Sequence, residues 1–502
     1  MDAWSSLLDG FSAAISPYNL LFALIGCTAG TLVGVLPGLG PTAAIAMLLP
    51  LATLLDPAPA IIMMAAIYYG AMYGGSTTSI LVNIPGEASS VPTAMEGYQL
   101  TLQGRGGPAL GISALASFVA GTLGVVGLTF FAPVLARAAL AFGPPEYFAL
   151  TFLGISLVIS LSGRSLGKGL LAALLGLLTA MVGLDPLSGV ARLTFGSYQL
   201  MAGIDFVPII MGLFAISEIL VNAEKKTQMI LEGKKIEWLP TWQDIKDTWA
   251  ATIRSGFLGF FFGLIPGCSP AVTSFMAYDL EKRFSKHPEK FGKGAMDAVA
   301  AVEGSNNATA SGGFVPLLAF GIPSGPALAV LLGGFIMFGL QPGPRLMQEQ
   351  PQLLWTIIAS MYIGNVILLI LNLPLVGLWA RMALVPFPIL GPFITVFTLI
   401  GAFSLRYSFF DLWVALLFGV IGFLMRKLEF PVAPMVLATV LASMMETSFM
   451  QSMTMSRGSF LIFFTRPISA AFMLMTVLSV VSGMWLMRKA KAKNVELEES
   501  DA

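Results

Sequence analysis

The groups able to do chemistry in this 502-residue chain are oxygen-rich, mostly uncharged and gathered in two places. Residues 74–87 read GGSTTSILVNIPGE, with Gly75, Ser76, Thr77, Thr78, Ser79 and Asn83; residues 303–325 read EGSNNATASGGFVPLLAFGIPSG, with Gly304, Ser305, Asn306, Asn307, Thr309, Ser311, Pro323 and Ser324. Hydroxyls and amides of this kind hydrogen-bond carboxylate oxygens or coordinate Na⁺ without leaving a fixed charge in apolar surroundings. The competing use is structural, as bridges between helices worth about 0.6–2 kcal/mol each. Glu87 and Glu303 lie inside the two segments, and Glu446 lies in the apolar stretch PMVLATVLASMMETSFMQSM. An acid at mid-helix costs about 2.5–3.5 kcal/mol on insertion scales, so these three are the candidates for ion or gate residues.

Other chemistries are excluded by what the chain lacks. One histidine, His287, and two cysteines, Cys27 and Cys268, build neither a His-based metal site nor a disulfide framework. No metal and no cofactor other than a coupling cation is expected. HExxH, GxGD, DDxxD and Walker A motifs are absent, which argues against an enzyme and against ATP hydrolysis by this chain. A net charge of zero offers nucleic acid no basic surface.

The elements that must position the polar groups announce themselves by helix breaks. Residues 30–41 read GTLVGVLPGLGP and residues 259–270 read GFFFGLIPGCSP, both G-x3-G-x2-P-G-x2-P at an offset of 229. Proline removes a backbone donor and glycine frees the turn, so a helix must stop at Pro37-Gly38 and Pro266-Gly267. New helices are expected after Pro41, from Thr42, and after Pro270; each would present a positive dipole end to an anion. Gly40 and Ser269 complete the candidate set at the breaks. The same offset pairs GGSTTS with EGSNNA, while NIPGE and GIPSG then need a gap of nine residues. Freed backbone groups are tolerated in a membrane only where buried in protein or lining a cavity, so paired breaks are the expected mark of a solute site in an inverted repeat.

Composition places these elements in a bilayer. The chain is 56% hydrophobic and 11% charged, against about 25% charged in ordinary soluble proteins. Of its 54 charged residues, 28 fall within 222–254, 279–297 and 488–502. The expected fold is an all-α integral membrane protein of roughly 10–12 transmembrane segments, with broken or re-entrant helices in two inverted-topology repeats. The first repeat is expected over 18–223, a polar cytoplasmic linker over 224–254, the second repeat with additional helices over 255–487, and a charged cytoplasmic tail over 488–502. Basic residues in the linker and in WLMRKAKAK put both in the cytoplasm, whereas the acidic N-terminus is expected outside. That N-terminus lacks the basic start of a cleaved signal.

At these residues the sequence resembles the TctA family, the large membrane subunit of tripartite tricarboxylate transporters. The segments that carry the resemblance are GVLPGLGPTAAIAMLLPL (34–51), YYGAMYGGSTTSILVNIPGEASSVPTAMEGYQL (68–100), GLIPGCSPAVTSFMAYDLEK (263–282) and AAVEGSNNATASGGFVPLLAFGIPSG (300–325). The resemblance implies a multi-pass carrier of the bacterial inner membrane, working with a periplasmic solute-binding protein and a small membrane subunit. It further implies symport of citrate or another carboxylate with Na⁺ or H⁺, and secondary active transport. Importing a trianion against an inside-negative potential then requires at least three cations, since each charge is worth about 2.3 kcal/mol per 100 mV. A carrier for another small solute acting without a binding protein, and a membrane-embedded enzyme, are the competing readings.

Overall fold

The computed structural model describes residues 3–36, 39–161, 165–185, 188–224, 239–375, 378–379, 387–404 and 406–500. Pro37, Gly38 and residues 225–238 of the 224–254 linker lie outside them.

In chain order, the first half runs α1 (Ala3–Ala14), α2 (Pro17–Val35), α3 (Gly40–Ala52), α4 (Pro57–Val82), a 3-10 turn (Ala88–Ser90), α5 (Val91–Leu102), α6 (Gly106–Ala139), α7 (Pro144–Leu161) and α8 (Leu166–Ala180). A two-residue ladder, β1 (Gly183–Leu184) with β2 (Ala191–Arg192), is the small exception to the all-helical expectation. Then follow α9 (Tyr198–Met201), α10 (Phe206–Ile210), a π turn (Met211–Ile216) and α11 (Ser217–Glu224). The second half runs α12 (Trp242–Gly263), α13 (Pro270–Phe284), α14 (Met296–Phe320), α15 (Pro326–Met337), α16 (Pro344–Glu349), α17 (Pro351–Asn372), α18 (Phe387–Ser404), α19 (Phe409–Lys427), α20 (Val432–Met455), α21 (Ile462–Thr465) and α22 (Pro467–Ser500).

Prolines explain many of the starts. Helices α2, α4, α7, α13, α15, α16, α17 and α22 each open on one, where the missing N–H has no intrahelical partner to lose. Helix α12 instead uses a capping box between Thr241 and Asp244.

Among the described residues, eight helices are long and apolar enough to cross a bilayer, and four shorter apolar ones accompany them, including α3, α8 and α15. The surface is correspondingly apolar: Leu170, Leu174 and Leu178 of α8 and Phe130, Phe131 and Val134 of α6 point outward, while Ser76, Glu303 and Asn306 are buried. Polar groups inside and hydrocarbon outside is the arrangement a lipid solvent demands. The protein is an all-α integral membrane protein.

Two helix pairs form the centre. Gly30 and Gly34 of α2 lie so close to Ile67 and Ala71 of α4 that an added Cβ would come within 2.5 and 2.2 Å of their carbonyl oxygens. Gly259 and Gly263 of α12 meet Ser305 and Thr309 of α14 in the same way, at 2.4 and 2.6 Å. The small faces thus let backbones touch, as membrane helices do without a hydrophobic driving force.

These contacts correct one pairing read from the sequence. The breaks match at an offset of 229, but α4 and α14 match at 238: Ala71 corresponds to Thr309, Gly74-Gly75 to Gly312-Gly313 and Asn83 to Gly321. The nine extra residues therefore precede α14, in a longer α13 and a longer connection (285–295 against 53–56). Gly75-Ser76 and Gly304-Ser305 are not equivalent, and the polar clusters occupy different levels of their helices.

Candidate functional site

Both breaks are present as expected. In the first, α2 ends at Val35 and α3 begins at Gly40, whose φ of +57° only glycine adopts without strain. In the second, α12 ends at Gly263 and α13 begins at Pro270, with Gly267 at φ +87° between them. Among the described residues neither new helix has its N-terminus capped by a side chain, Ser269 included; in α13 Pro270 carries no N–H and Val272 donates to the Ser269 carbonyl at 3.0 Å, which leaves the Ala271 N–H. Thr42 and Ser269 are half-buried beside those ends.

The segments after α4 and α14 close in matching ways. Asn83 (φ +57°) and Gly321 (φ +72°) end their helices in the left-handed conformation, each followed by Ile-Pro. The Ile84 N–H donates to the Thr78 carbonyl at 3.4 Å and the Ile322 N–H to that of Pro316 at 3.2 Å. Asn83 is therefore an exposed helix cap, set apart from the buried hydroxyls of its segment. The second turn folds back onto the second break, the Gly267 N–H donating to the Ser324 carbonyl at 2.8 Å. The first turn reaches the first helix pair, where an added Cβ on Gly86 would sit 2.4 Å from the Gly34 carbonyl and 2.6 Å from the Gly75 Cα.

The polar clusters meet across the two halves. The Ser76 hydroxyl donates to Glu303 Oε2 at 2.5 Å, and the Thr93 hydroxyl donates to Glu303 Oε1. Asn306 Nδ2 donates to Glu87 Oε1 at 3.2 Å, and Ser89 donates to the same oxygen. Glu303 and Asn306 are fully buried, Glu87 partly. Among the described residues neither Glu87 nor Glu303 has an ion-pair partner. Asn307 Nδ2 donates to Ser117 of α6 at 2.8 Å, and Thr309 shares a 2.7 Å hydrogen bond with Thr273 of α13. The side-chain oxygens of Ser305, Asn306 and Asn307 have no hydrogen-bond partner among the described residues.

Beside Ser76 lies a cavity with room for about one water-sized guest, lined by Tyr73, Ser76 and Thr77 of α4, Leu110, Ser113 and Ala114 of α6, and Asn372 of α17. Thr93, Ser89, Tyr73 and Asn372 were not singled out from the sequence. Ser89 reaches Glu87 locally, two residues on, whereas Thr93 meets Glu303 only because packing brings α5 alongside α14. Glu446 is placed elsewhere, in a bidentate pair with Arg192 of β2, whose Nη2 lies 3.2 Å from its Oε2.

Broken helices beside buried, carboxylate-bearing helices inside an apolar bundle define a polytopic membrane protein with a polar centre, the class in which solutes cross at the level of the breaks. Residues 20–437 match the model of the Tripartite tricarboxylate transporter TctA family, and the chain belongs to that family. It is 44% identical over 501 residues, 99% of this chain and all of the relative, to an uncharacterized 52.8 kDa protein in the TAR-I ttuC' 3' region of Agrobacterium vitis. A second relative there, an uncharacterized protein in the TAR-II ttuC' 3' region, is 39% identical over 241 residues, 48% of this chain. No solved structure matches.

Proposed function

We propose that this chain is the large permease subunit of a binding-protein-dependent secondary transporter that imports tricarboxylates or related carboxylates through the bacterial inner membrane. Membership in a transporter family supports the class. The observation that carries the reading is the pair of uncapped helix starts at Gly40 and Pro270, each half-exposed and each tied through its half's Ile-Pro turn or packed glycines to a buried polar helix. Free N–H groups and the hydroxyls of Thr42 and Ser269 bind carboxylate oxygens as neutral dipoles. Such dipoles release an anion once its accompanying cations leave, whereas buried lysine or arginine would hold it.

A periplasmic solute-binding protein would deliver the cargo and a small membrane subunit would complete the assembly. A Na⁺ or H⁺ gradient would drive the cycle, one part of the protein moving against the rest to alternate exposure. The test is uptake of radiolabelled citrate and other carboxylates into proteoliposomes holding the chain, its small subunit and the cognate binding protein, under imposed Na⁺ or H⁺ gradients. Uptake should require the binding protein and a cation gradient. Thr42→Leu and Ser269→Leu should each raise KM for the carboxylate at least tenfold, the loss of about one charge-assisted hydrogen bond. Uptake by the chain alone, unaffected by either change, would overturn the reading.

A further inference from the structure

The polar centre joins the halves through an acid, and an acid is the wrong group to meet a carboxylate cargo. Ser76 spends its only proton on Glu303, so what it offers the adjoining cavity is lone pairs. Asn372 turns the same way, its Nδ2 donating to the Leu368 carbonyl at 2.9 Å, which leaves its amide oxygen for the cavity it lines. Tyr73 also borders the cavity and is 3% exposed, and its hydroxyl has no hydrogen-bond partner among the described residues. Thr77 and Ser113 also border this space for a single small guest, so five of its seven lining residues carry a side-chain oxygen. The Glu303 carboxyl stands directly behind Ser76, without a basic partner among the described residues.

A buried carboxylate held by two hydroxyls is still uncompensated, and desolvating it is costly unless a positive charge sits nearby. A proton would balance it but needs no cavity. A desolvated alkali cation needs both: a lone-pair-lined space of about its own size and one nearby negative charge. Hard cations take oxygen ligands of this kind, from hydroxyl, amide and carboxylate. The register difference between the halves adds that there is one such place. The α14 counterpart of Ser76 is Phe314, and the α4 counterpart of Glu303 is Ala65, so the repeat that duplicates the breaks does not duplicate this junction.

We propose that the cavity between Ser76, Tyr73 and Asn372, with the Glu303 carboxylate behind Ser76, binds one desolvated alkali-metal cation. At this junction α4 contributes the hydroxyl and α14 the carboxyl. Cation entry neutralises the junction, and its departure leaves an acid that disfavours a nearby carboxylate, which ties release of one to release of the other. The proposal rests on the carrier reading for what the ion does and on the geometry alone for where it sits.

The test is equilibrium binding of ²²Na⁺ to the purified full chain in lipid nanodiscs, with choline holding ionic strength constant and Li⁺ and K⁺ as competitors that identify the preferred ion. The wild type should bind saturably with one ion per chain. Ser76→Ala and Asn372→Leu should weaken binding roughly 10–100-fold, and Glu303→Gln should abolish it; the exposed Glu289→Gln should bind as wild type. Melting of the same samples keeps the outcome readable if Glu303→Gln folds poorly. Na⁺ should raise the melting temperature of wild type and not that of Ser76→Ala, as ligand linkage requires. Absence of saturable alkali-cation binding to the wild type overturns the proposal, and so does wild-type binding in all three site variants. Failure of carboxylate uptake with this binding intact would instead count against the carrier reading.

Discussion

At the scale of single residues, burial separates the acids into kinds that composition does not distinguish. Glu446 is an acid in an apolar helix, but its bidentate bond to Arg192 gives it a partner, and its side chain is 29% exposed. Among the described residues Glu303 has no such partner, and its surroundings supply hydroxyls instead. Glu96 is a third case. It is fully buried and accepts from the backbone N–H groups of Gly292, Gly294 (2.8 Å) and Ala295 (2.9 Å) and from the Tyr278 hydroxyl (2.7 Å), which pins the connection before α14 onto α5. A glutamine there replaces an acceptor oxygen with an NH2 group facing N–H donors. Glu96→Gln should therefore destabilise the protein by about 2–3 kcal/mol, against about 1 kcal/mol for Tyr278→Phe, read as the fall in melting temperature of the whole chain in detergent. Equal melting of wild type and Glu96→Gln would mean that the connection is anchored by other contacts. The acids at 87 and 303 were legible in sequence as candidates because they lie in the polar motifs; their hydroxyl partner Thr93 was not, since it belongs to a helix that only packing brings alongside.

Helices and their breaks were more readable than single contacts, for a physical reason. Proline and glycine act on the local backbone, so the interruptions near 37 and 266 and the helices that follow could be placed from the two PGxxP segments alone. Pairing of α4 with α14 depended instead on chain length between elements, and matching Gly-Ser with Gly-Ser shifted it by nine residues. Close packing fixes the true register, because each small residue must face a particular carbonyl. The cost of violating it should differ sharply between glycines. Gly34→Ala and Gly259→Ala would push a methyl to 2.2 and 2.4 Å from the carbonyl oxygens of Ala71 and Ser305, where backbone cannot retreat without parting the helices. A loss of about 3 kcal/mol or more is expected for each, at the upper end of overpacking costs. Gly40→Ala meets nothing within 4 Å and pays only for its positive φ, about 1–2 kcal/mol. Thermal unfolding of the three variants should rank them in that order; a Gly40→Ala variant as damaged as Gly34→Ala would place the decisive constraint in the turn and not in the helix contact.

Across the whole molecule, charge and helix breaks converge on one arrangement. The connection after α3, at 53–56, is TLLD and holds no basic residue, whereas the corresponding stretch after α13 holds Lys286, Lys290 and Lys293 and follows Lys282 and Arg283. Positive charge near the ends of apolar segments stays in the cytoplasm. Two broken hairpins, α2–α3 and α12–α13, would then enter from opposite faces, the first returning to the outside and the second to the cytoplasm. This agrees with a basic linker before α12 and an acidic N-terminus before α2. The arrangement can be checked with single cysteines in a chain whose Cys27 and Cys268 have become serine. Asp56→Cys should react with a membrane-impermeant maleimide added to intact cells, while His287→Cys and Lys491→Cys should react only once the cytoplasmic face is opened. Both 56 and 287 lie at exposed positions, so poor reactivity would reflect sidedness and not burial. Labelling of 56 and 287 from one face would make the two breaks parallel. The N-termini of α3 and α13 would then enter from one side, and a site that alternates between faces by exchanging the roles of the two halves would lose its structural basis.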